Sequence, residues 1–356
     1  TGRGIDRVLP HPSDPRLYEH YMTSADGYVR LAEIANGPIA RPVDFAYPWG
    51  AALDEWQRFA PDVRIISLET AITRSGSYFP KGINYRMSPE NIGCLLAANI
   101  DCCTLANNHV LDWGTEGLID TLQVLERNQI KICGAGRDLA RASAPAILDV
   151  PGRGRILVFS YAVATSGTPQ SWAARPDRPG VNFLRNLSES AAEAIGATIE
   201  RARKPRDIII ASIHWGPNWG YEIPQEHVRF AHALIDRANV SAVHGHSSHH
   251  AKAIEIYRNR LILYGCGDFL NDYEGITGYE EYRDDLAVMY FANFDANSAD
   301  FVDLEMAVLQ IKRFQLNAAS SQDAEWLRAT MERESSRFGV RLQLESGNRL
   351  RLQAIA

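Results

Sequence analysis

Short runs of apolar residues alternate along most of the chain with longer segments in which apolar residues recur three and four positions apart. The short runs predict buried strands at 64–68, 101–105, 130–133, 146–150, 155–159, 207–213 and 240–243. The helical spacing predicts helices from 88 to about 96 and at 117–127, 188–203 and 225–237. Strands that alternate with helices favour an α/β fold.

The pattern changes toward the carboxyl end of the chain. Strands are predicted at 254–257 and 261–264, and an antiparallel pair at 285–294 and 301–312 indicates a second sheet packed on the first. A helix at 321–337 and a small hairpin at 339–353 follow. We therefore expect a main domain over residues 1–315, irregular up to about residue 60, and a small C-terminal α+β extension over 316–356.

The composition is that of an ordinary globular protein. Hydrophobic residues make up 46% of the 356 positions, which is enough to bury a large core. The net charge of −6, without a basic run, argues against nucleic acid as a partner. We expect no membrane segment, because no apolar stretch approaches the roughly 18 residues of a spanning helix. The five cysteines show no disulfide pattern, and free thiols favour a cytoplasmic location.

Candidate metal ligands follow four of the predicted strands. In chain order they are Glu69, then Asn108 and His109, then His214, then His244, His246 and His249. Ligand sites in open α/β sheets lie beyond the carboxyl ends of the strands, so we expect these side chains to converge. Clusters of histidine most often bind metal.

Each of these residue types suits a transition metal. A carboxylate such as Glu69 can bridge two cations, and imidazoles together with oxygen ligands favour Zn, Fe or Mn over Mg or Ca. Two such ions about 3.5–4 Å apart can activate water and stabilise a phosphoryl oxygen. His109 is the candidate proton donor to a leaving group, because it directly follows Asn108.

Some of these residues also have a structural interpretation. Asn107 and Asn108 suit a turn, and His214 suits a core position. His244 is either the partner of a ligand or a core residue, and His250 is either exposed or faces the substrate.

The loop after Glu69 and the turn after His109 add three candidates. Asp112 either orients the His109 ring or caps the helix that follows. Lys81 and Arg86 either bind an anionic group of the substrate or lie on a solvated loop.

Five segments, in order, resemble the motifs of the CapA family, which is named for poly-γ-glutamate capsule biosynthesis and is similar in fold to the calcineurin-like metallophosphoesterases. The segments are Ser67-Leu68-Glu69-Thr70, Ala106 to Gly114, His214-Trp215-Gly216, Gly245 to His249, and Tyr264 to Phe269. The resemblance covers roughly residues 1–315. It implies a four-layer α/β/β/α sandwich with a dinuclear metal site.

The resemblance also implies a role for each matching residue. It makes Glu69 the bridging carboxylate and His109 the general acid. The other implied metal ligands are Asn108, His214, His246 and His249.

Besides Ser67, which stands where the family often has Asn, the sequence departs from the family pattern at three places. Ser247 and Ser248 replace the middle of a usual Gly-His-His-Pro-His, with the outer histidines kept. Asp268 stands where Asn is common and could orient a ligand histidine. The family's first strand, with a metal-binding Asp, would lie a few residues before Thr1, so we expect residues 1–315 to form the domain without it. Without that Asp we expect one well-occupied metal or none.

The residues and the resemblance together predict a hydrolase that uses two divalent metal ions (Mn, Fe or Zn). Its substrate would be a small molecule or an anionic polymer such as polyglutamate. The alternative is a non-catalytic, accessory component of a capsule-polymer synthesis complex.

Overall fold

The structure is a computed structural model, and it describes residues 1–353. Its α-helices are α1 (Arg3–Val8), α2 (Ala25–Asn36), α3 (Ala51–Phe59), α4 (Gly93–Ala97), α5 (Gly114–Arg127), α6 (Leu139–Ser143), α7 (Glu189–Ala202), α8 (Gln225–Ala238) and α9 (Ser321–Ser335). Its strands are β1 (Ile65–Ser67), β2 (Ala71–Ile72), β3 (Arg86–Met87), β4 (Cys102–Thr104), β5 (Lys131–Cys133), β6 (Ala135–Gly136), β7 (Ala146–Val150), β8 (Gly154–Val163), β9 (Gly180–Val181), β10 (Phe183–Leu184), β11 (Ile208–His214), β12 (Ala242–His246), β13 (Ile254–Tyr257), β14 (Arg260–Leu263), β15 (Leu286–Phe294), β16 (Phe301–Lys312), β17 (Gln315–Ala318), β18 (Leu342–Glu345) and β19 (Arg349–Leu352).

Two sheets of mainly parallel strands carry the α/β part of the fold. The smaller has three parallel strands in the order β1-β4-β5. The larger has seven strands in the order β10-β8-β11-β12-β14-β13, with β7 beside β8. Within it β10, β8, β11, β12 and β14 are parallel, whereas β7 and β13 are antiparallel to their neighbours. The predicted α/β class is confirmed.

A third, five-stranded sheet is antiparallel. The predicted pair at 285–294 and 301–312 is present as β15 and β16. The later strands extend this same sheet, because β17 and β19 both pair with β16 and β18 pairs with β19. The strands after residue 315 therefore belong to the same sheet as β15 and β16. The division into 1–315 and 316–356 stays a prediction.

Alternation of side chains along β15 shows how the sheets are layered. Leu286 and Val288 pack in the core shared with β12 to β14 of the seven-stranded sheet. Ala287 and Met289 point the other way, into a core with α3 and α5. The opposite face of the seven-stranded sheet packs on α7 and α8. The seven-stranded sheet therefore has helices on one face and other sheets on its second face.

The prediction that roughly the first 60 residues are irregular is wrong. Three helices, α1 to α3, lie there. Helix α2 is amphipathic and is capped by Ser24, the residue before it, whose side chain accepts a hydrogen bond from the Asp26 amide. It buries Tyr28, Val29 and Ala32. The many Pro and Gly residues lie in the connections, where they mask these short helices in the sequence pattern.

A groove of about 830 Å³ runs between the edge of the three-stranded sheet and the edge of the five-stranded sheet. Ile65 to Ser67 of β1 and Val288 to Phe294 of β15 line it, together with Thr1 and His246. Within the described residues, β1 and β15 are edge strands of their sheets. The strand expected before Thr1 stays a prediction. Residues 1–353 contain no helix whose length and apolar content would carry it across a lipid bilayer.

Candidate metal centre

The predicted site residues lie where four parallel strands end. Glu69 comes two residues after the end of β1, and Asn108 follows the end of β4. His214 and His246 are the last residues of β11 and β12, and they are partners in the register of the two strands. In each of the two sheets the carboxyl ends of the parallel strands share one edge, and the contacts of His214 with Asn108 and Glu69 bring the two edges together.

Three donor atoms of different residues face one another at this edge. His214 Nε2 lies 3.2 Å from Asn108 Oδ1 and 3.6 Å from Glu69 Oε1. Metal–ligand bonds of about 2.0–2.2 Å place two ligands of one ion roughly 3.0–3.5 Å apart. The spacing and the mixed nitrogen and oxygen donors therefore fit one divalent cation.

The other two predicted ligands contact different partners. His246 Nδ1 lies 2.7 Å from His214 Nδ1, and His249 Nδ1 lies 3.0 Å from Asp268 Oδ1. Within residues 1–353, no group of three or more His, Cys, Asp or Glu side chains is arranged to hold a metal ion. The third residue beside Glu69 and His214 is Asn108, which is not one of these four residue types. The metal-binding role of the five residues therefore stays a prediction.

Burial keeps the imidazoles of His214 and His246 neutral. Burial, with a smaller effect of neighbouring imidazoles, lowers the pKa of His214 and of His246 well below the ordinary value. A neutral imidazole keeps a lone pair for a metal ion. Although 26% of the Glu69 side chain is exposed, desolvation by the surrounding protein raises its pKa to about 7. The charges of His249 and Lys81 offset only part of this burial effect, and a divalent cation would further favour the ionised carboxylate.

His109 is fixed by a buried carboxylate. Its Nδ1 lies 2.6 Å from Asp112 Oδ2, and its Nε2 lies 3.9 Å from Glu69 Oε1. Asp112 is fully buried and also accepts a hydrogen bond from the Tyr85 amide. The ring is thus oriented with Nε2 toward the site. Of the two alternatives for Asp112, the geometry favours orientation of His109, because α5 has no side-chain cap.

Lys81 completes this arrangement. Its ammonium lies 2.8 Å from Asp112 Oδ1 and donates to the Asn108 carbonyl. Burial, followed by the charge of Lys81, lowers the pKa of His109 well below its ordinary value. His109 is therefore neutral in this structure, and it needs to gain a proton before it can act as an acid.

Asp268 and His244, the two residues predicted to support the metal ligands, each have a polar contact with a neighbouring side chain. Asp268 contacts the His249 ring, and although burial lowers the pKa of His249, the charge and hydrogen bond of Asp268 raise it above the ordinary value. His244 Nδ1 lies 3.1 Å from Ser212 Oγ, and burial lowers the pKa of His244 to about 4.

The three residues predicted to bind substrate, Lys81, Arg86 and His250, are largely held by contacts within the protein. Arg86 is buried, donates to the carbonyls of Ser75 and Asp14 and lies over the Trp113 ring. Lys81 is held as described above. The exposed alternative for His250 is wrong, because only 2% of this residue is exposed. Their role in substrate binding stays a prediction.

Some contacts that build the site were not identified in the sequence. The Tyr85 ring lies 4.2 Å from the His109 ring, and Ser67 Oγ lies 3.3 Å from His246 Nδ1. Ser212 Oγ lies 2.8 Å from His246 Nε2. For Ser212 a signal exists: it is a polar residue two positions before His214, on the same face of an otherwise apolar strand.

Comparison with known proteins bears on the family. The family model described as bacterial capsule synthesis protein PGA_cap matches residues 1–273. A probable polyglutamine synthesis accessory protein of Mycobacterium tuberculosis (strain H37Rv) is 48% identical over 351 residues, which cover 98% of this chain and 92% of that protein. The PGA biosynthesis protein CapA of Bacillus subtilis (strain 168) is 26% identical over 226 residues, covering 63% and 56%.

A solved structure shares a weaker similarity. It is described as a novel phosphatase from Mycoplasma pneumoniae, with a TM-score of 0.46 and 12% identity over 73% of this chain and 86% of that one. Similarity of that size supports no argument about activity. The family match and the mycobacterial relative agree with the motifs around Glu69, His109 and His246, and the chain therefore belongs to the bacterial capsule synthesis protein PGA_cap family.

Proposed function

We propose that the protein is a metal-dependent hydrolase that cleaves a phosphate ester or a related acyl or phosphoanhydride bond. The observation that carries this proposal is the approach of His214 Nε2, Asn108 Oδ1 and Glu69 Oε1 to one another, next to an oriented histidine. The distances of 3.2 Å from His214 Nε2 to Asn108 Oδ1 and 3.6 Å to Glu69 Oε1 are compatible with ligands that share one cation. The chemistry that such an ion supplies is Lewis-acid activation of the bond to be cleaved.

In this proposal His109 and Asp112 handle the proton. Asp112 accepts the hydrogen bond from His109 Nδ1, which leaves Nε2 directed at the site. An anionic substrate beside Nε2 would favour the protonated ring, and Nε2 would then donate that proton to the leaving oxygen. Tyr85 packs on the ring and limits its rotation.

The cofactor in the proposal is a pair of divalent ions of the Mn, Fe or Zn type. The residues that would hold these ions are Glu69, Asn108, His214, His246 and His249. The layering of the three large sheets supports assignment to the four-layer α/β/β/α sandwich of metallophosphoesterases.

The biological setting in the proposal follows the relatives. Those relatives are named for capsule or PGA biosynthesis and for polyglutamine synthesis. We therefore propose an anionic polymer of this type, or a small-molecule precursor of it, as the substrate.

A second function, accessory and non-catalytic, has specific support. The mycobacterial relative is named an accessory protein. In addition, the contact between His214 Nδ1 and His246 Nδ1 occupies one nitrogen of each of two predicted ligands. An accessory protein could keep this fold without turnover.

Metal content and turnover distinguish the two functions. Protein loaded with Mn²⁺ or Zn²⁺ and desalted is analysed for metal, and hydrolysis of an aryl phosphate monoester and diester is measured. The hydrolase proposal predicts at least one bound ion per chain and turnover. It also predicts that His109→Ala loses turnover but keeps its metal, whereas His246→Ala loses both.

A matched control separates these effects from general loss of a histidine. His232 lies on α8, stacked on Tyr257 and paired with Glu255. His232→Ala should leave metal content and turnover unchanged. Bound metal without turnover on either ester would favour the accessory function, and absence of both metal and turnover would reject the hydrolase proposal.

A further inference from the structure

Ser212 is a fully buried polar residue in the centre of the apolar strand β11. Its side chain shares a face with His214, because residues two apart on a strand point the same way. Its Oγ donates a hydrogen bond to Thr104 Oγ1 at 3.2 Å. The same oxygen lies 2.8 Å from His246 Nε2 and 3.1 Å from His244 Nδ1.

These contacts favour one arrangement of the protons. A hydroxyl group has one hydrogen to donate and two lone pairs that accept. The Ser212 hydrogen is directed to Thr104, so Ser212 accepts hydrogen bonds from both histidines. His246 therefore carries its hydrogen on Nε2, and its lone pair is on Nδ1.

The lone pair on His246 Nδ1 is directed toward Ser67 and toward the His214 ring, whose other nitrogen, Nε2, lies at the candidate metal centre. Ser67 Oγ lies 3.3 Å from this nitrogen, and Ser67 is two residues before Glu69. His214 Nδ1 lies 2.7 Å from it. In metal sites, a ligating histidine usually donates its second ring N–H to a fixed acceptor, which sets the tautomer and the ring orientation.

We infer that Ser212 is a positioning residue that holds the hydrogen on His246 Nε2 and so presents Nδ1 to a divalent metal ion. Thr104 takes part by accepting the Ser212 hydrogen. This inference rests on the metal centre of the proposed function, but it does not depend on hydrolysis.

The neighbouring strand supplies a matched control. Ser160 of β8 is the register partner of Ser212 and is 1% exposed. Among the described residues, its Oγ has no hydrogen-bond partner. Ser160→Ala and Ser212→Ala therefore remove the same buried hydroxyl group from adjacent positions, but only the second removes a contact with His246.

The test measures Zn²⁺ affinity by competition with a chelating dye. Loss of such an outer partner typically weakens metal binding about 10- to 100-fold, so we expect that loss for Ser212→Ala and a change below about 2-fold for Ser160→Ala. Glu69→Gln removes the charge of a candidate ligand, so zinc binding that this substitution weakens is binding at this centre. Nitrogen NMR of ¹⁵N-histidine-labelled, zinc-free wild-type protein reads the tautomer directly, and we expect the hydrogen of His246 on Nε2.

The outcomes separate this inference from the proposed function. Wild-type protein whose Zn²⁺ binding is absent, or is unaffected by Glu69→Gln, would overturn the metal centre and the inference with it. Equal affinity in wild type, Ser212→Ala and Ser160→Ala would overturn only the role of Ser212. A hydrogen on Nδ1 of His246 would also overturn it, and this result requires no variant that might lose its fold.

Discussion

The ion pair between Lys81 and Asp112 should contribute to stability in a pH-dependent way. The two charged groups lie 2.8 Å apart, with 18% of the Lys81 side chain exposed and Asp112 fully buried. Lys81→Met removes the cation and leaves the carboxyl group in place. Burial raises the pKa of Asp112 to about 7, against the lowering effect of Lys81.

The expected magnitude has two parts. The lost charged hydrogen bond from Lys81 to the Asn108 carbonyl costs about 1.5 kcal/mol at any pH. The second part appears only above the pKa of Asp112, where the wild-type carboxyl is ionised and Lys81 stabilises it. That part grows by about 1.4 kcal/mol per pH unit above 7. We therefore expect Lys81→Met to cost about 1.5 kcal/mol at pH 6 and about 3 kcal/mol at pH 8.

The assay is urea denaturation of metal-free protein at both pH values. Lys131→Met is the matched control, because Lys131 is exposed on β5, and it should change the free energy of unfolding by less than about 0.5 kcal/mol. In an Asp112→Asn background, Lys81→Met should cost about the same at pH 6 and pH 8. A cost in the wild-type background that is equal at both pH values, or larger at pH 6, would refute the reasoning.

Three further substitutions test the packing around the site, each by urea denaturation. Arg3→Met should cost about 4 kcal/mol, because it removes the cation from the buried carboxylates Asp272 and Glu19, and a cost below about 1 kcal/mol would contradict this. Burial lowers the pKa of Lys252 from 10.5 to about 8, so the unfolded chain binds more protons between these values and wild-type stability rises across that range. Lys252→Met should then stabilise by about 1–2 kcal/mol at pH 7 and lose that advantage by pH 10.5, and destabilisation at pH 7 would contradict the account. Gly134→Ala should destabilise by more than about 2 kcal/mol, since its Cβ would lie 2.6 Å from the Ser160 side chain, whereas Gly152→Ala, at a similar positive φ in open space, should cost about 1 kcal/mol.

The positions of the candidate ligands could be predicted because strand ends determine them. His214 and His246 end strands that are clear in the sequence as apolar runs, and the parallel order of those strands brings the two residues together. Helices α7 and α8 could be predicted from apolar spacing. The antiparallel β15 and β16 were also predictable, since long alternating segments leave few other interpretations.

The contacts around these ligands could not be predicted, because they join distant parts of the chain. Arg3 bonds to Asp272, which is 269 residues away. Lys81 lies on a loop that has no regular sequence pattern, and the course of that loop brings Lys81 to Asp112. Ser212 contacts Thr104 and His246 across two sheets. A local pattern in the sequence carries no information about such pairings.

The direct test of the central claim is the location of bound metal. Crystals grown or soaked with Mn²⁺ would be measured for anomalous scattering. The account predicts an anomalous peak about 2.0–2.2 Å from Glu69 Oε1, Asn108 Oδ1 and His214 Nε2. Diffraction from fully soaked crystals with no peak at this position, or with peaks only elsewhere on the protein, would contradict the assignment of a metal centre.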